Sequence, residues 1–381
     1  MSKSLRVLFM MSSIAMGGGE RNIVSFLPCL KTEGLNVMLC TLNTRRDSQL
    51  AEVFSQTGIT RFDLAARRMV DRNSWKKFVN ILRDQEIDII HAQDQDTIIY
   101  AGLARLFLGI PSVMTRHVMI EPVTSWKTAL RAQMVFWSAC YSMDGVIAVS
   151  NKVRQQFAKQ AGVPLTKIET VYNGIELEKF NVQKRREELR LKLGWQLKRP
   201  IAILVSVLRA GKGFETLFEA IPGIRAVIPD FQLKLVGSGE LESELKQKAG
   251  YLGDAVEFLG QRIDIPDLLG ASDLLVQTSW SEALPTVLIE AGAASLPVVA
   301  TDVGGTAEIV EHGIGGYIVD PGDVDALVNN IVAVLRNPSG ANEMGRFAHD
   351  FVIKTFSLSE QVKHTKAFYE RILGERNENS L

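Results

Sequence analysis

Cysteine is scarce in this chain: three in 381 residues, Cys29, Cys40 and Cys140, neither clustered nor at metal-ligand spacing. That excludes a disulfide framework and a cysteine-built zinc site, and leaves reduced, buried thiols of a cytosolic protein as the expectation. Long apolar runs are missing too. No segment approaches the ~20 apolar residues of a membrane-spanning helix. The apolar stretch near the start, "LRVLFMMSSIAMGGGE", is short and leads into glycines instead of a cleavage site, so no signal peptide is expected. Low-complexity tracts are absent, and with 46% hydrophobic and 23% charged residues the composition is that of a folded globular protein. Net charge is also lacking, but the zero is a sum of unequal halves. Residues 1–180 hold 22 Lys and Arg against 16 Asp and Glu, and residues 181–381 hold 21 against 27. The excess of positive charge in the first half is either ordinary surface variation or the mark of an anionic partner such as a phospholipid surface.

What is present is an alternation of strands and helices. At 381 residues two domains are the natural division. "RVLFMMS" leads through a Gly-rich turn into "ERNIVSFLPCLKTEG", apolar at helical spacing, and then "NVMLCTL"; "DIIHA", "PSVMTRH" and "GVIAVS" follow as further strands. None shows polar alternation, as expected when helices cover both faces of a parallel sheet. After "IETVYNGIELEKF" and the charge-dense helix "VQKRREELRLKLG" the pattern restarts, with "IAILVSVL", "FQLKLVGSG", "VEFLG", "LLVQTS", "PVVATDVGG" and "GGYIVD" as strands. The expectation is α/β: two Rossmann-like, doubly wound domains facing across a cleft, covering residues 1–176 and 177–355. An amphipathic helix over 356–381 is expected to pack back on the first. Ligands of such sheets sit at the C-terminal ends of strands.

Several motifs fall there. "MGGGE", Met16 to Glu20, joins the first strand to the first helix, so Gly17 and Gly18 allow close backbone approach and the helix N-terminus offers amides to an anion. A tight turn needing glycine for geometry alone explains the same residues. "SVLRAGKGFETL" repeats the arrangement at the head of the second half and adds Arg209 and Lys212, able to hold a diphosphate. Two solvated loop cations would be the ordinary alternative. "SEALPTVLIEA" sets Glu282 and Glu290 eight residues apart: Glu282 in a loop, suited to a sugar hydroxyl, with the amides of Ala283 and Leu284 beside it, and Glu290 opening a helix, suited to a ribose diol or simply to the helix dipole. His117 ends a strand of the first half. "DQD", Asp94 to Asp96, is discounted as a metal site because cations for a phosphate are already provided.

Taken together, "GGGER", "DIIHAQD", "VIAVS", "VYNGIE", "SVLRAGKG", "LVGSGELE", "VEFLGQR" and the Glu-x7-Glu element followed by "LPVVATDVGGTAEIV" resemble a glycosyltransferase of family 4 over roughly residues 6–322, in the family's order. The resemblance implies the glycosyltransferase B fold, sugar transfer with retention, a UDP- or GDP-sugar donor, and neither metal nor cofactor. It also implies roles. Gly17 and Gly18 would approach the donor diphosphate, Arg209 and Lys212 would bind it, and Glu290 would hold the ribose. Glu282 with the amides of Ala283 and Leu284 would meet the sugar, the base would lie near Gln261, Arg262 and Ile263, and His117 would face the donor sugar near the reacting centre. The sequence departs from the family where Ala283 stands in place of a common Gly and where "Ser-Val-Leu-Arg" at 206–209 replaces a common Gly-Arg-Leu, which bears on loop conformation.

Two rivals share features of this reading. A nicotinamide-dependent oxidoreductase also has parallel sheets and glycine turns, but neither turn matches G-x-G-x-x-G with an acidic residue ~20 positions on. A non-catalytic two-lobed sugar or nucleotide binding protein also closes over sugars, but the expected lack of a signal peptide counts against it. On the acceptor side, Trp126, Leu130, Met134 and Trp137 recur at helical spacing beside Lys127 and Arg131. The stripe faces either the core or an anionic membrane; the second would suit a glycan or lipid-linked acceptor used in cell-envelope polysaccharide or lipopolysaccharide assembly, by an enzyme in the cytoplasm at the inner face of the membrane. No nucleic-acid partner is expected.

Overall fold

The computed structural model describes residues 4–15, 17–44, 49–66, 70–119, 125–180 and 186–378. They form two compact units, Met1–Gly174 with Leu358–Leu381, and Ile175–Ser357.

The first unit contains a seven-stranded parallel sheet. Its strands are β1 (Arg6–Met11), β2 (Asn36–Thr41), β3 (Arg61–Asp63), β4 (Ile89–Ala92), β5 (Ser112–Arg116), β6 (Gly145–Ala148) and β7 (Ile168–Thr170), in the order β3-β2-β1-β4-β5-β6-β7. β1 is central, with Phe9 opposite Leu39 on one side and His91 on the other. Unbroken apolar runs suit that position, because helices cover both faces: Val7, Leu8, Phe9 and Met10 are wholly buried. The short β3 and β7 escape a periodicity reading because three residues show no period, and they hold the sheet edges. The helix Leu358–Glu378 closes this unit. Its Phe368, Tyr369 and Ile372 join the core built on β1 and the helix Gly18–Thr32, and Gln361 exchanges amide hydrogen bonds with Asn22 at 3.0 Å.

The second unit holds a six-stranded parallel sheet, β8 (Ile201–Val205), β9 (Gln232–Val236), β10 (Val256–Gly260), β11 (Leu274–Gln277), β12 (Val298–Thr301) and β13 (Gly316–Val319), ordered β10-β9-β8-β11-β12-β13. All six lie within stretches that read as strands in the sequence. The helices Phe214–Val227 and Val324–Arg336 pack over it, burying Phe214, Leu217, Ile221 and Ile331. Of the cysteines only Cys40 is fully buried, and that burial pushes its thiol up to about 12. Cys29 and Cys140 are half-buried, each donating to a backbone carbonyl. No helix among the described residues is long and apolar enough to cross a membrane.

Candidate active site

In the second sheet the winding direction reverses between β8 and β11, so the connections leaving their C-terminal ends diverge and leave a crevice. The loop after β8 ends at Gly213, which has φ +67°; a Cβ there would fall 1.9 Å from the Thr278 carbonyl oxygen, so only glycine lets the two loops touch. They are then laced together. Thr278 Oγ1 donates to the Lys212 carbonyl at 3.1 Å, and the Trp280 N–H donates to the Gly211 carbonyl at 2.9 Å.

This lacing brings Lys212 to Glu282 across 70 residues of sequence: Nζ donates to Oε1 at 2.6 Å. Their side chains are only 14% and 16% exposed. The same carboxylate oxygen accepts from Ser279 Oγ at 2.7 Å and from Gln277 Nε2 at 3.2 Å. Oε2 accepts no hydrogen bond among the described residues, so it is the oxygen left to a ligand hydroxyl. Gln277 Oε1 is buried and also without a partner among them. The loop after β12 packs against the backbone that carries the carboxylate. Gly304, at φ +53°, lies so close that a Cβ would sit 1.7 Å from the Glu282 carbonyl oxygen, and the Gly305 N–H donates to the Ala283 carbonyl at 3.0 Å.

The other donor-side candidates of the second half lie in the same unit. Arg209 is exposed on the same loop as Lys212, and its guanidinium makes no hydrogen bond or ion pair among the described residues. Leu284 is buried and Ala283 half-buried in the Glu282 loop. Glu290 does not open its helix. The helix runs Thr286–Ala293, so Glu290 is its fifth residue, half-buried and past the first turn, where the macrodipole gives it little. At the end of β10, Gln261 is exposed, with Ser238 Oγ 3.5 Å from its Oε1. Arg262 spends its guanidinium on Asp264, with Nε at 2.8 Å and Nη2 at 2.6 Å from the two carboxylate oxygens. Ile263 stands 90% exposed, an apolar side chain with no protein to cover it.

In the first unit the switch point lies between β1 and β4. Gly17 is the N-cap of the helix Gly18–Thr32, and no side chain caps it. Glu20 folds back toward it: its carboxylate bonds its own backbone N–H, and burial, with the nearby Asp94, pushes its pKa up. An anion at this turn would therefore have to displace Glu20. Asp94 has a structural task, accepting from Ser12 Oγ at 2.9 Å and capping the helix Gln95–Leu108 through the Thr97 N–H at 3.1 Å. Among the described residues no group of three or more His, Cys, Asp and Glu is arranged to hold a metal.

His117 follows β5 directly, with its ring beside Gly19; a Cβ on that glycine would lie 3.7 Å from Nδ1. Its Nε2 is 2.9 Å from Gln93 Oε1. Desolvation and the adjacent Arg116 lower its pKa to about 4, so the ring is neutral at pH 7. With Oε1 as acceptor, Nε2 carries the hydrogen and Nδ1 the lone pair. Behind it His91 is buried between Tyr369 Oη and Thr115 Oγ1, each at 2.6 Å. Burial, helped by His117, lowers its pKa to about 3.

Each unit is matched by its own family model: "Glycosyltransferase Family 4" over residues 16–179 and "Glycosyl transferases group 1" over residues 185–351. The chain belongs to glycosyltransferase family 4. A curated relative is the UDP-Gal:alpha-D-GlcNAc-diphosphoundecaprenol alpha-1,3-galactosyltransferase of Escherichia coli, 28% identical, with 78% of this chain and 79% of that one covered. A putative teichuronic acid biosynthesis glycosyltransferase, TuaC of Bacillus subtilis, is 35% identical over 69% of this chain and 65% of the relative. Among solved structures, Anabaena Alr3699/HepE in complex with UDP superposes with a TM-score of 0.85 at 24% identity, covering 96% of this chain and all of that one. The fold is thus the glycosyltransferase B fold with two Rossmann-like units, and the oxidoreductase and binding-protein readings fall away.

For this glycosyltransferase the sequence signals Lys212 and Glu282 but not their partners. Gln277 and Ser279 read as the end of one strand, and Gly304 as the end of the strand stretch "PVVATDVGG", because nothing local marks them as the walls of a carboxylate site. Gln93 sits in "DIIHAQD", a strand end, and position at a strand end is the one signal that could have found it.

Proposed function

We propose that this glycosyltransferase moves a hexose-type sugar from a UDP- or GDP-sugar to a hydroxyl of a glycan or lipid-linked acceptor, with retention at the anomeric carbon and without a divalent metal. The setting is cell-envelope polysaccharide or lipopolysaccharide assembly, in the cytoplasm at the inner face of the membrane. The observation that carries the reading is the cluster at the β8/β11 switch point, where Glu282 is held by Lys212, Ser279 and Gln277, with Arg209 exposed and uncommitted on the loop that carries Lys212. A diphosphate entering there meets the Arg209 fork and the Lys212 ammonium, two cations on one loop that can neutralise the charge a metal would otherwise carry. Glu282 Oε2 takes a sugar hydroxyl, Glu290 the ribose, and the exposed Ile263 offers a face for the base. The name of the Escherichia coli relative supports a UDP-linked donor and a sugar acceptor carried on a lipid diphosphate.

In the reaction the anomeric C–O bond to the diphosphate breaks and both bonding electrons leave with the phosphate. The acceptor oxygen attacks from the face the phosphate leaves, and its proton passes to a departing phosphate oxygen. His117 stabilises the positive anomeric carbon as a neutral group, through its Nδ1 lone pair or its carbonyl, because a ring with a pKa of about 4 adds no charge at neutral pH. The test is calorimetric titration with UDP and GDP, against NAD and free sugars, followed by a donor-hydrolysis screen with and without chelator. Binding of a nucleoside diphosphate alone and chelator-resistant hydrolysis are expected. Failure to bind either nucleotide, or turnover abolished by chelation, would overturn the assignment.

A further inference from the structure

The first unit encloses a polar cavity with the His117 ring in its wall. The helix Gly18–Thr32 contributes Asn22 to it, the ends of β4 and β5 contribute His91, Gln93 and Thr115, and the last helix contributes Gln361 and Thr365. Asn173, from the segment after β7, completes the polar lining. The space open to the centre of a water molecule is about 10 Å³. One water needs roughly 10–15 Å³ by that measure, so the cavity admits a single water and nothing larger.

Much of the polar wall is already committed. Asn22 and Gln361 bond each other and the backbone of Gly174, while Tyr369 and Thr115 take the two ring nitrogens of His91. Three side chains are left over. The Gln93 amide gives Oε1 to the His117 ring, and its Nε2 is buried with no partner among the described residues. Asn173 and Thr365, 6% and 1% exposed, line the cavity with no side-chain hydrogen bond among the described residues. A buried donor left unpaired carries an uncompensated desolvation cost, and in a cavity of this size its partner is a water.

We propose that one resident water occupies this cavity, accepting from Gln93 Nε2 and bonding Asn173 and Thr365, and that it thereby fixes the tautomer of His117. A glutamine amide can present either end to the ring. With Oε1 on the ring, Nε2 of His117 holds the hydrogen and Nδ1, beside Gly19, keeps its lone pair. In a dry cavity the reverse is favoured, because a buried carbonyl oxygen without a partner is tolerated better than a buried N–H: the amide turns over, donates to His117 Nε2 and moves the ring hydrogen to Nδ1. Asn173 and Thr365 are thus positioning residues that act on His117 through the water and Gln93. The effect on turnover rests on the proposed function; the water and the tautomer do not.

The experiment compares the full chain with the variant Asn173→Leu/Thr365→Val, which keeps side-chain size and leaves the water Gln93 alone, with Thr365→Ser as the conservative control. Deuteron relaxation dispersion of the solvent counts long-lived internal waters, and long-range proton–nitrogen spectra of histidine-labelled protein at pH 7, where the His117 ring is neutral, report its tautomer. His117→Gln identifies the resonance, and thermal unfolding and UDP titration are the controls. Wild type and Thr365→Ser should hold the slow water and carry the hydrogen on Nε2. The double variant should lose one slow water and shift the hydrogen to Nδ1, and its donor-hydrolysis kcat should fall roughly tenfold or more, as on removal of an outer partner that orients a histidine, at unchanged UDP affinity. A double variant that does not fold hands the test to Asn173→Leu and Thr365→Val singly, each expected to shorten the residence of the water. Equal slow waters in wild type and variants, a wild-type hydrogen on Nδ1, or a tautomer indifferent to the substitutions overturns the proposal. A slow water and the Nε2 tautomer without any UDP binding would remove the donor reading and leave this one standing.

Discussion

Lys212→Met tests whether the loops at the β8/β11 switch point are organised before any ligand arrives. From sequence alone this lysine's partner would be a ligand phosphate, and its removal would leave the fold untouched; the structure gives it a protein partner. Its Nζ lies 2.6 Å from Glu282 Oε1, with both side chains about five-sixths buried. At that separation an effective dielectric of ~20 gives a Coulomb attraction of about 6 kcal/mol, most of it offset by desolvation of the two charges. Removing the cation leaves a mostly buried carboxylate held only by Ser279 and Gln277. Breaking a fully buried pair costs about 3–5 kcal/mol, and the residual exposure here places the cost near 2–3 kcal/mol. For a unit of this size that is a fall of about 4–12 °C in Tm. Glu282→Gln keeps the shape and removes the charge, so the double variant should recover part of the loss, with a coupling energy of about 1–3 kcal/mol. Scanning calorimetry of wild type, both single variants and the double variant completes the cycle. A Tm for Lys212→Met within a degree of wild type, or a coupling energy near zero, would refute the claim that this pair organises the loops.

Arg209→Ala should behave oppositely, because its guanidinium is exposed and serves no protein contact among the described residues: unchanged Tm, with UDP affinity reduced by about 1.5–3 kcal/mol in calorimetry. Gly304→Ala should destabilise by about 2–4 kcal/mol, since it places a Cβ against the Glu282 carbonyl at a positive φ and the strand-end loop must move; a denaturant midpoint equal to wild type would contradict the packing described. The pH dependence follows from the two lowered histidines. Their folded pKa values, about 4 for His117 and about 3 for His91, lie below the unfolded value near 6.5. The unfolded chain thus binds protons first, and stability should decline as pH falls from about 6.5 through 4 to 3. His117→Gln should flatten the upper part of that decline, and a His117 ring resonance titrating near 6.5 would show that it is not desolvated as described. Gln93→Leu should reduce turnover with little change in UDP affinity, because Gln93 touches the His117 ring and not the nucleotide cluster; equal loss in both would make it merely structural.

The sequence by itself determined the local features. Unbroken apolar runs such as "RVLFM" and "IAILV" mark strands covered on both faces, helical spacing marks what lies between them, and glycine-rich turns at strand ends mark where ligands can approach. Lys212, Arg209, Glu282 and His117 were legible because each stands at such an end. Only the tertiary structure decided which ends meet. Lys212 and Glu282 are joined because β8 and β11 are neighbours in the sheet although β9 and β10 intervene in the chain. His117 finds Gln93 because β4 and β5 are paired, and His91 finds Tyr369 across 278 residues because the last helix returns to the first unit. That Trp126 and Trp137 are exposed was undecidable from spacing, since a helix of given periodicity presents the same stripe to core or to solvent. Periodicity records which residues share a face; pairing between strands far apart in the chain depends on the packing free energy of the whole unit, and no short stretch of sequence carries that.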